Sequence, residues 1–212
     1  AAVGVTGPGH RAFLADFYRG DFWGSFARGT PFGVNPETGD ERTSGMTAAL
    51  AGVTAALESG AGPALDTAIE RVLLLYAIAF GYGGVPIVYM GDELCMIDDA
   101  TYLDDPSRRA DSRWSHRPLF DDAVAARRHD LGTPEQRLWD GLRALVEARR
   151  RCLPLHGGAA SRPVDVGHPS VFAWHRRHPR YGELLGLANV GDEGAAITPP
   201  AVLGTRTIGL VD

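Results

Sequence analysis

Lysine is missing from this 212-residue chain: all 21 of its basic residues are arginine. A coding bias toward arginine accounts for that, and no function follows from it. Cysteine is scarce too. Cys95 and Cys152 have neither a metal-ligand nor a redox spacing, and two distant thiols do not make a disulfide framework. No apolar run approaches the roughly 20 residues that a membrane helix needs. The first residues carry neither a basic n-region nor an apolar h-region, so no secretory leader is read there. The expectation is a soluble, cytoplasmic protein with no membrane partner, although a longer parent could still carry a leader. A net charge of −5, with arginines dispersed among 26 acids, argues against a nucleic-acid footprint. A Gly-x-Ser-x-Gly elbow, a phosphate-binding glycine loop and an Asp-x-Asp-x-Asp-Gly calcium loop are all absent.

What is present begins with Gly84-Val-Pro-Ile-Val-Tyr-Met-Gly-Asp-Glu93. Its continuous apolar run predicts a strand over Val85–Tyr89 that is covered on both faces, as in a parallel sheet. In parallel α/β folds the chemistry gathers at the carboxyl ends of strands. Here that end delivers Asp92 and Glu93. The next loop carries Asp98, Asp99, Asp104, Asp105 and Asp111, and then the arginines of Ser112–Arg117.

Three longer helices are legible. Arg11–Arg19 places Phe13, Leu14 and Phe17 on one face. Leu65, Ala68, Ile69, Val72, Leu73 and Tyr76 recur at helical spacing, and Gly81 is expected to end that helix. Thr133-Pro-Glu-Gln136 combines an N-cap, an N1 proline and a capping-box glutamine, starting a helix whose apolar face is Leu138, Leu142, Leu145 and Val146. Its Arg149-Arg-Arg151 reads as complementing the helix's own negative end. Gly20–Gly45 reads as a long functional loop, with Ser44 capping a small helix through Ala51. After Pro154, Val171–Arg176 and Glu183–Val190 flank Pro179-Arg-Tyr-Gly182 as an antiparallel hairpin. Further short strands are expected near Ala195–Thr198 and Thr207–Val211.

Each chemical candidate has a structural counterpart. Asp92 and Glu93 suit acid/base work, or a turn whose acids bind backbone amides. The pairs Asp98-Asp99 and Asp104-Asp105 read as solvated loop charge. His116, with no visible nucleophile beside it, reads as structural before it reads as a general base. The aromatics Phe22, Trp23, Phe26 and Phe32 either stack on sugar rings or anchor their loop.

Taken together, several segments resemble the amylosucrases, a subgroup of the α-amylase-type retaining glycoside hydrolases. They are Gly24-Ser-Phe-Ala-Arg-Gly-Thr-Pro-Phe32, Asn35-Pro-Glu-Thr-Gly-Asp40, Arg42-Thr-Ser-Gly45, Gly84–Glu93 and Asp111-Ser-Arg-Trp-Ser-His-Arg-Pro118. The likeness covers nearly the whole chain and weakens after about Pro154. It implies an α/β fold: the C-terminal part of a (β/α)8 barrel over 1–153, with an inserted lobe at about 10–50. An incomplete antiparallel β domain would follow over 154–212. The Val85–Tyr89 strand would be the eighth barrel strand, Leu65–Phe80 the seventh barrel helix and Thr133–Cys152 the eighth.

The family's aspartate nucleophile, glutamate acid/base and third aspartate would all lie upstream, so this chain supplies no catalytic carboxylate. By the same resemblance Arg113 helps close the floor of a glucosyl pocket, Arg42 and Arg11 lie on the acceptor side, and Asp92 and Glu93 stand at the pocket rim. The parent would move glucose from sucrose to an α-glucan with retention, releasing fructose and requiring no cofactor or metal. The chain alone is expected to be inactive and poorly folded. Departures at Asp16, Arg19, Asp21 and Leu94-Cys-Met-Ile97 leave the acceptor open. A sucrose hydrolase, another α-amylase-family glucosidase and a noncatalytic carbohydrate-binding or assembly module are the alternatives.

Overall fold

The computed structural model of the protein describes residues 6–60 and 62–198. It is a mixture of helices and small antiparallel sheets, and the described residues contain no closed barrel. Among the described residues six α-helices run in chain order: α1 (Gly7–Arg19), α2 (Thr47–Ala51), α3 (Val53–Glu58), α4 (Pro63–Tyr82), α5 (Asp122–Ala126) and α6 (Pro134–Arg151). Strands β1 (Thr30–Phe32) and β2 (Arg42–Ser44) pair antiparallel in one ribbon. Strands β3 (Ala160–Val164), β4 (Val171–His178) and β5 (Gly182–Asn189) form a three-stranded antiparallel sheet in that order. The chain divides into two compact units, 1–73 with 88–142 and 74–87 with 143–212, so α4 and α6 contribute to both.

In the first unit the helices start and stop on local chemistry. Thr6 caps α1, accepting the Gly9 amide at 3.2 Å, and Gly20 closes it at φ 94° with its N–H on the Asp16 carbonyl. Thr133 caps α6 through the Gln136 amide at 3.2 Å. The Gln136 side chain reaches back to the Gly132 amide at 3.1 Å, one residue beyond the usual capping box. Ala68, Ile69 and Val72 of α4 are buried, as are Leu138 and Leu142 of α6. Met46, Leu94, Met96 and Ala125 make a core cluster, with Val124 and Trp139 packed against it. Small residues set the spacing beside it. A Cβ on Gly29 would lie 2.5 Å from the Thr43 methyl and 2.8 Å from the Tyr18 carbonyl oxygen.

The second unit is organised around Trp174. This buried indole donates to the Gly81 carbonyl at 3.0 Å. A Cβ on Gly81 would lie 2.6 Å from Trp174, and one on Gly186, its cross-strand partner, 2.1 Å from it. Gly81 therefore does not end α4, which continues to Tyr82; its missing side chain makes room for the indole. Arg176, fully buried, donates to the carbonyls of Gly81 at 3.2 Å and His156 at 2.7 Å. Arg149 donates to the carbonyls of Phe80 and Gly84. That guanidinium thus serves the negative end of α4, not of α6 as the arginine triplet implied. Arg150 and Arg151 pair with Glu147 on the surface of α6.

The hairpin expected around Pro179–Gly182 forms as β4–β5, with β3 adding an edge strand that carried no sequence signal. Ala195–Thr198 has no strand, and Thr207–Val211 lies outside the described residues. The largest departure is Val85–Tyr89. It forms no regular element and pairs with no strand among the described residues, so the expected parallel strand after α4 is not formed. Val85, Ile87 and Met90 are 84%, 79% and 66% exposed. A backbone needs a neighbour to become a sheet, and an apolar run cannot supply one by itself. No helix among the described residues is long and apolar enough to cross a membrane.

Candidate functional site

A polar cluster lies in the first unit, where three segments distant in sequence meet. The Ser112–Trp114 turn is capped by Asp111, whose carboxylate accepts the Arg113 amide at 3.1 Å. The same carboxylate takes a two-pronged grip from the Arg113 guanidinium, Nε at 2.8 Å and Nη2 at 2.7 Å. Those hydrogen bonds hold the Asp111 carboxyl down at about 2 and raise Arg113 further. Arg113 remains 54% exposed, so its fork is fixed in a plane while facing solvent.

The two residues that follow this turn reach the β1–β2 ribbon. Ser115, 1% exposed, bonds Thr30 of β1 at 3.2 Å, and His116 Nδ1 meets Ser44 Oγ of β2 at 2.7 Å. Burial, then the nearby Arg117 charge, lowers the His116 pKa and favours the neutral imidazole. Ser44 therefore does not cap α2. That place is taken by two acids of the other loop. Asp98 accepts the Met46 amide at 2.5 Å, and Asp92 accepts both the amide (3.3 Å) and the hydroxyl (2.5 Å) of Thr47. Asp98 also accepts from Ser115 at 3.3 Å. It is not solvated loop charge: burial pushes its carboxyl up to about 6, against the pull of those hydrogen bonds. The Tyr89 hydroxyl donates to the His116 carbonyl at 3.3 Å, which places the end of the 85–91 segment beside the Arg113 turn.

The remaining candidates fall around this centre. Asp92 is buried, and Glu93 accepts the Gly91 amide at 2.9 Å. Both acids thus make backbone contacts, one of the two readings open to them. Arg42 lies opposite Phe32 on the ribbon, its guanidinium 5.6 Å from the ring centroid. Arg11 of α1 reaches Asp40 at 3.4 Å across a small cleft of about 120 Å³ that Asp16 and Glu41 also line. Arg19 ties Asp16, Asp21 and Glu41 together beside it. Phe26 packs edge-on against Phe17 and lies under Arg71, so it anchors its loop. Trp23 is 93% exposed. The acids Asp99 and Asp105 cap local turns at Thr101 and Ser107. No group of three or more metal-ligating side chains occurs among the described residues.

A scan of the chain against protein-family models finds no match. The geometry carries the functional argument. It brings the Arg113 turn against the ribbon that bears Arg42, and α1, which bears Arg11, packs on the same ribbon, where the Thr43 hydroxyl donates to the Ala15 carbonyl at 3.1 Å. Sequence reading took Asp98 for solvated loop charge and Ser44 for a helix cap, and gave Ser115 no role of its own. The available signal for Asp98 was its place directly after the apolar Leu94–Ile97, where a following acid is drawn partly inside.

Proposed function

We propose that this chain is the C-terminal part of a sucrose-acting glucosyltransferase of the amylosucrase type. The parent moves the glucosyl unit of sucrose to an α-glucan with retention and releases fructose. The chain supplies binding groups, and the reacting carboxylates come from preceding polypeptide. In this reading Val85–Tyr89 is the last strand of a (β/α)8 barrel, and its exposed apolar side chains are those that neighbouring strands would cover. Residues 154–198 begin the β domain.

One observation carries the proposal. Four of the segments on which the resemblance rests converge in space: Thr30, Ser44, Tyr89 and the Ser115–His116 pair, as far as 85 residues apart, share one hydrogen-bonded cluster. Motifs that coincide only by composition have no reason to meet. Beside that cluster stands a planar, exposed guanidinium held by a carboxylate. Such a group can grip a carboxylate and still present donors to sugar hydroxyls.

The test uses the longer polypeptide that contains this chain, incubated with sucrose, with fructose, glucose and glucan measured separately. Fructose with glucan is expected, and Arg113→Lys, which keeps the charge but loses the fork, should lower kcat/KM by about tenfold or more. Fructose with free glucose would favour the hydrolase. Binding of glucan without sucrose cleavage would favour a noncatalytic module and overturn the proposal.

A further inference from the structure

We infer that Asp98, Ser115 and His116 are positioning residues: they latch the ribbon that bears Arg42 onto the turn that bears Arg113, so that the two arginines act on one ligand. The functional half of this rests on the reading above; the latch itself does not. Its parts are few and local. Consecutive residues Ser115 and His116 grip opposite strands of the ribbon, through Thr30 on β1 and Ser44 on β2. Asp98 then ties the grip to the chain just after β2, with Oδ2 on Ser115 and Oδ1 on the Met46 amide. Ser115 is 1% and Met46 1% exposed, so water does not compete freely for these bonds. Gly45, between Ser44 and Met46, leaves no slack: a Cβ there would lie 3.0 Å from Asp98 Oδ2.

Asp98 can serve both partners in either protonation state. An ionised Asp98 accepts from the Ser115 hydroxyl and from the Met46 amide. A protonated Asp98 keeps the amide on Oδ1 and donates through Oδ2 to Ser115, whose own hydrogen then turns away. The latch therefore holds in both states. An asparagine imitates the second state, with its carbonyl on Met46 and its amide on Ser115. An alanine supplies neither bond.

The Met46 amide is the direct reporter, read by hydrogen exchange in the 212-residue chain. In the wild type it should be protected. Asp98→Ala should speed its exchange by about tenfold or more, as should Ser115→Ala to a smaller extent, while Asp98→Asn should be protected at least as well as the wild type. Fast exchange in the wild type overturns the inference, as does unchanged protection in Asp98→Ala or failure of Asp98→Asn to restore it. In the longer sucrose-acting polypeptide, Asp98→Ala and Ser115→Ala should raise KM for sucrose, the ligand that spans both arginines, while leaving kcat for fructose release within about twofold, and Asp98→Asn should reverse this. Equal loss of kcat in Asp98→Asn overturns the positioning role. Absence of sucrose activity in the wild type, with the exchange pattern intact, leaves the latch standing and removes the functional reading instead.

Discussion

Asp98→Asn should make the protein more stable at neutral pH. Burial raises the Asp98 carboxyl from 3.8 to about 6, so the folded chain holds this proton more tightly than the unfolded chain does between those values. Stability therefore falls as pH rises through that window, and the loss is complete above about 6. Converted at about 1.36 kcal/mol per pH unit, the gap corresponds to about 3 kcal/mol. The carboxylate keeps some contact with water, which screens the effect to about 1–2 kcal/mol. Asparagine keeps both hydrogen bonds and cannot ionise. The variant should thus match the wild type near pH 4 and exceed it by about 1–2 kcal/mol at pH 7, or roughly 2–8 °C in Tm for a chain this size. His116 acts in the opposite direction, since burial lowers its pKa and acidification below 6.5 removes stability. Both proteins share that contribution, and their difference isolates Asp98. Urea unfolding followed by tryptophan fluorescence at several pH values, at low protein concentration, measures it. A variant no more stable than wild type at pH 7, or a difference independent of pH, would refute the reasoning.

Gly186→Ala should destabilise the second unit by about 1–3 kcal/mol, because the new methyl has no room against Trp174 and the indole must leave its rotamer; near-ultraviolet circular dichroism should show the lost asymmetry. Ile87→Asp should leave the unfolding free energy within about 0.5 kcal/mol, since the side chain is 79% exposed, yet reduce self-association in light scattering. Unchanged association would mean that the 85–90 segment is not the adhesive surface. Cys95 should resist a thiol reagent at pH 8 until urea is added, because burial, followed by the charges of Glu135 and Asp92, pushes its thiol up to about 12. Prompt titration of both cysteines in the folded chain would contradict that.

Local grammar decided a good deal of this fold. The proline and threonine that open α6, the apolar rows of α4 and α6 and the Pro179–Gly182 turn each name their element, because caps, periodicity and turn residues act over a few positions. The arginines and carboxylates of the site were likewise visible as residue types. Their partners were not. Arg149 sits in a helix-end pattern yet serves α4, and Gly81 looks like a stop yet makes space for Trp174. Asp98 reads as loop charge until Met46 and Ser115 close around it.

Val85–Tyr89 marks the division most clearly. By itself the sequence determined an apolar segment of strand-forming residues leading to two acids, since side-chain character and backbone preference belong to the residues. Whether that segment is a buried strand was decided by tertiary structure alone, because its hydrogen bonds and its burial both belong to whatever lies next to it.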